Sequence, residues 1–224
     1  MKLGVLFSGG KDSCYAAQLA SKDHEISCLL SVFSKNKESY MFHTPNIELT
    51  KVQAYSMDIP LVIVETEGKK EKELKELKKL IKFAKKEYGV EGIVTGAIES
   101  VYQATRVQKI CSELGLWCFN PLWQKDQIEL LNELIENKYE VIVSGIAGYP
   151  LDEKWLGKKL TKSSIKDLIK FKEKYSFNPS GEGGEWESFV LNSPMFKEKL
   201  IVSDSEVDYK NHAGIFYIKG VDLK

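Results

Sequence analysis

An apolar run at residues 3–7 leads directly into Ser8-Gly9-Gly10-Lys11-Asp12-Ser13, and a helix-forming stretch follows at 14–20. That order constrains the chain more than any other feature. The two glycines let the backbone turn tightly with its N–H groups inward, and the following helix adds the positive end of its dipole. The result is a cradle for a polyphosphate. Lys11 is expected to neutralise charge there, while Ser8 and Ser13 donate hydroxyl hydrogen bonds. Asp12 does not face a phosphate easily, so it is expected to hold Mg²⁺ or to cap the helix. A glycine-rich turn that binds nothing is the plainer alternative. Neither G-x-x-x-x-G-K-[ST] nor G-x-G-x-x-G occurs in the chain.

With 224 residues the chain is long enough for one large or two small domains. It carries 32 Lys and Arg against 32 Asp and Glu, so no bulk attraction to nucleic acid or to an anionic membrane is expected. No segment approaches eighteen uninterrupted apolar residues, and the start of the chain holds the loop instead of a cleavable leader, so a cytoplasmic location is expected. Cys14, Cys28, Cys111 and Cys118 form no C-x-x-C pair, and His24, His43 and His212 lack metal-ligand spacing. The cysteines read as small core residues of a reduced protein. Cys14 can also be read as a nucleophile, but a buried helix face suits it better.

Strand-like and helix-like patterns alternate through the first half. Strands are expected at 3–7, 26–33, 61–64, 92–95 and 116–119, with helices near 46–57, 70–88 and 101–114. This alternation predicts a parallel sheet covered on both faces, with ligands at the carboxyl ends of its strands. The Lys-rich helix at 70–88 repeats Leu74, Leu77, Ile81 and Ala84 on one stripe. Its charges read as a solvated face, with docking of an acidic partner or RNA as the alternative. After Pro121 the pattern changes: helix 125–137, strand 139–146, a helix over 163–175 starting at a serine, then strands near 187–191, 199–203 and 214–219. The fold class is therefore α/β, a parallel-sheet, Rossmann-like domain over 1–122 followed by a smaller α+β domain over 123–224 that closes on it.

Two further clusters are more polar than their settings require. Gly96-Ala97-Ile98-Glu99-Ser100-Val101-Tyr102-Gln103 follows the fourth strand, with Arg106 one turn on. Gly96 permits close backbone approach and Ser100 is a suitable N-cap. Tyr102, Gln103 and Arg106 then lie on successive turns toward the sheet edge. An ordinary capped connection is the alternative. The second cluster, residues 178–189, interleaves Glu182, Glu185 and Glu187 with Gly181, Gly183 and Gly184. Glycine raises the entropy cost of ordering, so such a segment suits close approach to a ligand, with the acids binding Mg²⁺, taking a proton or facing a cation. A flexible acidic turn is the alternative.

The first motif resembles the pyrophosphate loop of the ATP pyrophosphatases, which adenylate a carboxylate or carbonyl oxygen and let a nitrogen or sulfur nucleophile displace AMP. Six matching residues in the right setting favour the nucleotide reading over the empty turn. All the motifs together resemble the diphthine–ammonia ligase family in its compact archaeal-type form. The matching elements are Ser8 to Ser13, Gly96-Ala97-Ile98-x-Ser100-x-Tyr102-Gln103-x-x-Arg106-Val107, Asn120-Pro121-Leu122-Trp123, and Asn178-Pro179-x-Gly181-Glu182-x-Gly184-Glu185. Gln108 departs from the acid often found there, so a charge partner for Arg106 must come from elsewhere. The family's larger eukaryotic members add domains not found here, and no glutaminase signature is present.

The resemblance implies an adenine-nucleotide-hydrolase-like first domain and amidation of diphthine on elongation factor 2 with ATP, Mg²⁺ and ammonium. Ser8, Gly9, Gly10, Lys11, Asp12, Ser13 and Gly96 are then expected to bind ATP, with Asp12 at the metal. Glu182 and Glu185 are the expected ammonium binders or bases, and Gln103 is expected to orient the carboxylate or adenylate. Tyr102, Arg106, Trp123 and Trp186 are expected around the acceptor, the aromatic rings facing its trimethylammonium group. The rivals are another ligase of the same chemistry, tRNA-modifying or small-molecule, and a nucleotide sensor without turnover. The sequence leaves the oligomeric state open, a homo-oligomer included.

Overall fold

A computed structural model describes residues 1–34, 45–68 and 72–224. His43 and the first two residues of the helix expected at 70–88 lie outside this set. The first half forms β1 (Lys2–Leu6), α1 (Lys11–Ser21), β2 (Glu25–Ser34), α2 (Thr50–Met57), β3 (Leu61–Thr66), α3 (Lys72–Tyr88), β4 (Gly92–Val94), α4 (Val101–Glu113) and β5 (Trp117–Phe119). Its five strands make one parallel sheet in the order β3-β2-β1-β4-β5. The expected parallel sheet is therefore present. The order reverses between β1 and β4, which opens a crevice at their carboxyl ends. The phosphate-loop motif leaves β1 into that crevice.

Both faces of this sheet are covered. Alternate residues of β2 point opposite ways: Leu29 joins α1, while Cys28 and Leu30 join Leu77, Leu80 and Ile81 of α3 and Ile110 of α4. The apolar stripe of α3 is thus its buried face. On the other side Cys14, Ala16, Ala17 and Ala20 of α1 pack into a cluster continuous with the second half of the chain. Burial pushes the Cys14 thiol up, so it stays protonated and acts as a small core residue.

The second half contains α5 (Gln127–Glu136), β6 (Glu140–Ala147), α6 (Lys162–Tyr175), β7 (Trp186–Asn192), β8 (Leu200–Lys210) and β9 (Ala213–Leu223). Its strands form a separate antiparallel sheet ordered β7-β6-β9-β8. Helix α6 begins after Thr161, which forms a capping box with Ser164, two residues before the expected serine start. The last two strands run well past the expected 199–203 and 214–219. They form a hairpin whose outer strand exposes 203–208, so the alternation that marks a half-buried strand is missing there. Likewise, the helix expected over 46–57 opens with a 3₁₀ turn at Ile47–Leu49 before α2.

Gln53 of α2 fastens the two sheets together. It is fully buried, and its Nε2 donates to the carbonyls of Gly9 (3.0 Å) and Val190 (2.7 Å). The Val190 N–H in turn donates to the Gly9 carbonyl at 3.0 Å. Gly9 has φ of +78°, and a Cβ there would run into Gln53. Gln53→Ala removes this donor from the Val190 carbonyl and leaves the Gly9 carbonyl with the Val190 N–H, and it is expected to lower unfolding free energy by about 1–3 kcal/mol. Urea denaturation read by far-UV circular dichroism measures it.

Candidate active site

The crevice at the ends of β1, β2 and β4 widens into a cavity of about 970 Å³. Its floor comes from the parallel sheet: Leu6 to Ser8, Leu30, Val32 and Thr95 to Ala97. Its roof comes from the second half: 145–147, 181–184, Trp186, Glu187 and the turn end of the β8–β9 hairpin. The first α-helix begins at N-cap Gly10, which has no side chain to cap it, so the positive end of the helix dipole is left to face a ligand. Within the loop the Ser13 hydroxyl lies 3.2 Å from that of Ser8 and donates to the Gly10 carbonyl. Of the loop residues, Ser8, Asp12 and Ser13 line the cavity, whereas Gly9, Gly10 and Lys11 do not.

Lys11 does not reach into the cavity. Its side chain is 3% exposed, and its ammonium donates to Asp12 Oδ2 (2.9 Å) and to the Ser180 carbonyl while lying 4.8 Å from the centre of the Trp186 ring. The Lys11 N–H donates to Ser188 Oγ at 3.0 Å. The expectation that this ammonium meets a phosphate is thus corrected: it anchors the loop to the glycine-rich segment. Asp12 is left with Oδ1 buried and without a hydrogen-bond partner.

The second and third motifs meet each other. Glu182 Oε2 accepts from the Glu99 N–H at 3.2 Å. Gln127 of α5, buried and unnoticed in the sequence, donates to Glu99 and Asn178 and accepts from the Ser180 N–H. Ser100 caps α4 by accepting from the Gln103 N–H, and Gln103 lines the cavity. Gly96 is there for close packing: a Cβ would lie 2.8 Å from the Asp12 carbonyl carbon and the Ser13 nitrogen. The close approach is therefore to the start of α1, with the cavity beside it.

Several expected site residues stand elsewhere. Glu185 is absent from the cavity wall; its Oε1 accepts from the Asn178 N–H (3.1 Å) and Nδ2 (2.7 Å), which folds the segment on itself. Tyr102 and Arg106 are off the wall and stacked on each other, the guanidinium 3.4 Å from the ring centre. That stacking is the partner of Arg106 that the missing acid at 108 left unassigned. Trp123 is 37% exposed and outside the cavity. Trp186 does line it, but Lys11 holds one of its faces and its Nε1 donates to the Pro179 carbonyl.

Glu187, unlike Glu185, lines the cavity. Strand β7 alternates, sending Trp186 and Ser188 toward the phosphate loop and Glu187 into the cavity. Glu187 is exposed to solvent within the cavity, with the cavity walls standing around it. That enclosure pushes its carboxyl up to about 7, the Lys11 ammonium pulling it down and Asp12 pushing it up. Burial and Asp12 also raise Glu182. The charged groups on the wall are Asp12, Glu182, Glu187, Asp208 and Lys210, four carboxylates to one ammonium among the described residues.

Family models described as "Diphthamide synthase N-terminal domain" and "Diphthamide synthase C-terminal domain" match residues 1–118 and 126–223. A Homo sapiens protein named diphthine–ammonia ligase is 38% identical over 230 residues, covering 92% of this chain and 85% of its own. Its Bos taurus namesake is 37% identical over 227 residues with the same shares. The Schizosaccharomyces pombe protein of that name is 33% identical over 236 residues, which cover 98% of this chain and 39% of the longer relative.

Two outcomes follow from the geometry. Gly96→Ala forces its Cβ against the backbone of α1, at a cost of about 1–3 kcal/mol. The denaturation midpoint should fall, and ATP binding measured by calorimetry should weaken. For Glu187 the folded-state carboxyl titrates above its unfolded value of 4.5. The folded chain therefore binds the extra proton, and stability falls as pH rises from the unfolded value toward about 7. Glu187→Gln is expected to melt above the wild type at pH near 8 and level with it well below the unfolded value.

Proposed function

The chain belongs to the diphthamide synthase family, and on that premise we propose that it is an ATP-dependent ligase that converts the carboxylate of diphthine to the amide of diphthamide. The acceptor is elongation factor 2 bearing diphthine, the nitrogen comes from ammonium, and AMP and pyrophosphate are released. One observation carries this reading. The phosphate loop opens into a cavity of about 970 Å³ whose wall continues onto carboxylates from the second half of the chain. A sensor of bound nucleotide has no use for that adjoining space, whereas a ligase needs a second substrate beside the phosphates.

Ser8, Ser13 and the first turn of α1 bind the β and γ phosphates in this scheme, while Leu6, Leu30, Val32 and Val107 offer an apolar wall for the purine. Asp12 Oδ1, buried and unpartnered, fits Mg²⁺, which would neutralise phosphate charge when bound. Lys11 is a positioning residue that fixes the loop. The diphthine carboxylate attacks the α-phosphorus in line and pyrophosphate leaves. Ammonia then attacks the acyl carbon of the adenylate and AMP departs. Gln103, on the wall beside Ser100, is assigned to orient the carboxylate by hydrogen bonding.

The division into residues 1–122 and 123–224 acquires a functional sense here: the first part handles nucleotide, and the second brings Glu182 and Glu187 to it. The acceptor belongs to the translation machinery, so the reaction is assigned to the cytoplasm. No helix among the described residues is long and apolar enough to cross a membrane.

The test combines the protein with ATP, Mg²⁺, ammonium chloride and diphthine-bearing elongation factor 2. AMP, pyrophosphate and an acid-to-amide mass change on the factor are expected together. ATP binding without any modification of the factor, alongside a working ligase control, would falsify the assignment.

A further inference from the structure

We propose that Glu187 is the catalytic carboxylate that docks ammonium in the cavity and takes its proton before nitrogen attacks the adenylate. The proposal rests on the ligase reading above and assigns its second half-reaction.

Position is the first argument. The neighbours of Glu187 on β7 are both fastened to the phosphate loop: Ser188 Oγ accepts from the Lys11 N–H, and Trp186 lies under the Lys11 ammonium. Glu187 is therefore held on the cavity wall, between two residues that touch the phosphate loop, by regular strand geometry and not by a loop. Its register partner on β6 is Gly145, where a Cβ would come within 3.4 Å of the Glu187 Cβ and 3.2 Å of Pro45. The glycine keeps open the space into which the carboxylate projects.

Availability is the second. Of the three glutamates in the segment, Glu185 is bound to Asn178 and Glu182 to the Glu99 N–H. Among the described residues the Glu187 side chain has neither a hydrogen bond nor an ion pair, so its carboxylate is free to take an ammonium. The charged groups around it are Lys11 and Asp12 from α1, Glu182 from the glycine-rich segment, and Asp208 and Lys210 from β8. The excess of carboxylates draws a cation into the cavity. The raised affinity of Glu187 for a proton suits a group that must accept one near neutral pH.

The chemistry balances. Ammonium carries no lone pair, so one proton passes from nitrogen to the Glu187 carboxylate. The freed lone pair forms the C–N bond at the acyl carbon, and the bond from that carbon to the AMP oxygen breaks with its electrons leaving on AMP. A second N–H proton is lost to cavity water as the amide forms. The Glu187 carboxyl returns its own proton to water when AMP departs.

Hydroxylamine isolates this step, because it is largely unprotonated at neutral pH and needs no base to expose its lone pair. Wild type and Glu187→Gln are compared with ATP, Mg²⁺ and diphthine-bearing elongation factor 2, using ammonium chloride or hydroxylamine and reading amide or hydroxamate by mass. Loss of a general base is expected to slow amide formation about 100-fold or more and hydroxamate formation about threefold or less. An equal fall with both nucleophiles, or no fall with ammonium, overturns the proposal. Wild type that yields neither product while binding ATP overturns the ligase reading, and the proposal with it. Glu187→Asp, which keeps a carboxylate one methylene short, should raise the apparent KM for ammonium; this arm decides the matter if the Gln variant does not fold. An unchanged KM in that variant counts against the proposal.

Discussion

The site depends on one buried ammonium. Lys11 lies almost wholly out of water, and a charge in that position is costly unless it is paired and hydrogen-bonded. Its compensation comes from two directions: Asp12 beside it on the same helix, and the Ser180 carbonyl with the Trp186 ring from far along the chain. The phosphate loop therefore takes its shape only when the glycine-rich segment is folded against it. From Ser180 the dependence continues through Gln127 to Asn178 and Glu185. Glu185 thus acts at a distance, holding the segment that holds the loop.

The parallel sheet and the loop were legible because each rests on a local rule. Alternating apolar runs and helices specify the layers, and the strand, paired glycines and helix start specify the cradle. Gln53 and Gln127 were not legible. A glutamine in a helix reads as surface, and only the approach of distant backbone turns these two into buried connectors. The choice between Glu185 and Glu187 turned on a single residue of register. Starting the strand at 187 leaves the orientation of each acid open, whereas the observed start at Trp186 fixes Glu187 on the cavity side. Lys11 reversed its expected direction for a reason no local pattern contains, since both the Ser180 carbonyl and the Trp186 ring come from the second half of the chain.

The cavity wall sets two electrostatic demands against each other. Phosphates are drawn to the helix N-terminus and repelled by Asp12, Glu182, Glu187 and Asp208. Cations are drawn by the same four groups. Crowding carboxylates on one cavity wall raises Glu182 and Glu187 and costs the fold stability at neutral pH, a sacrifice expected at a reactive site rather than in a structural core.

For the ligase reaction proposed above, recognition of a fixed cation on the acceptor follows the same logic. Aromatic faces were the natural candidates, but the chain has already used one face of each nearby ring. Arg106 covers Tyr102, Lys11 covers Trp186, and Trp123 stands apart on the surface. A trimethylammonium group cannot donate a hydrogen bond, so it needs only negative charge and room, both of which the carboxylate wall supplies. Ammonium donates hydrogen bonds and can lose a proton, so it makes a stricter demand for an unengaged carboxylate close to the acyl carbon. The two cations can therefore share one acidic cavity without competing for one residue. The less exacting cation takes the general field of the wall, and the more exacting one takes Glu187.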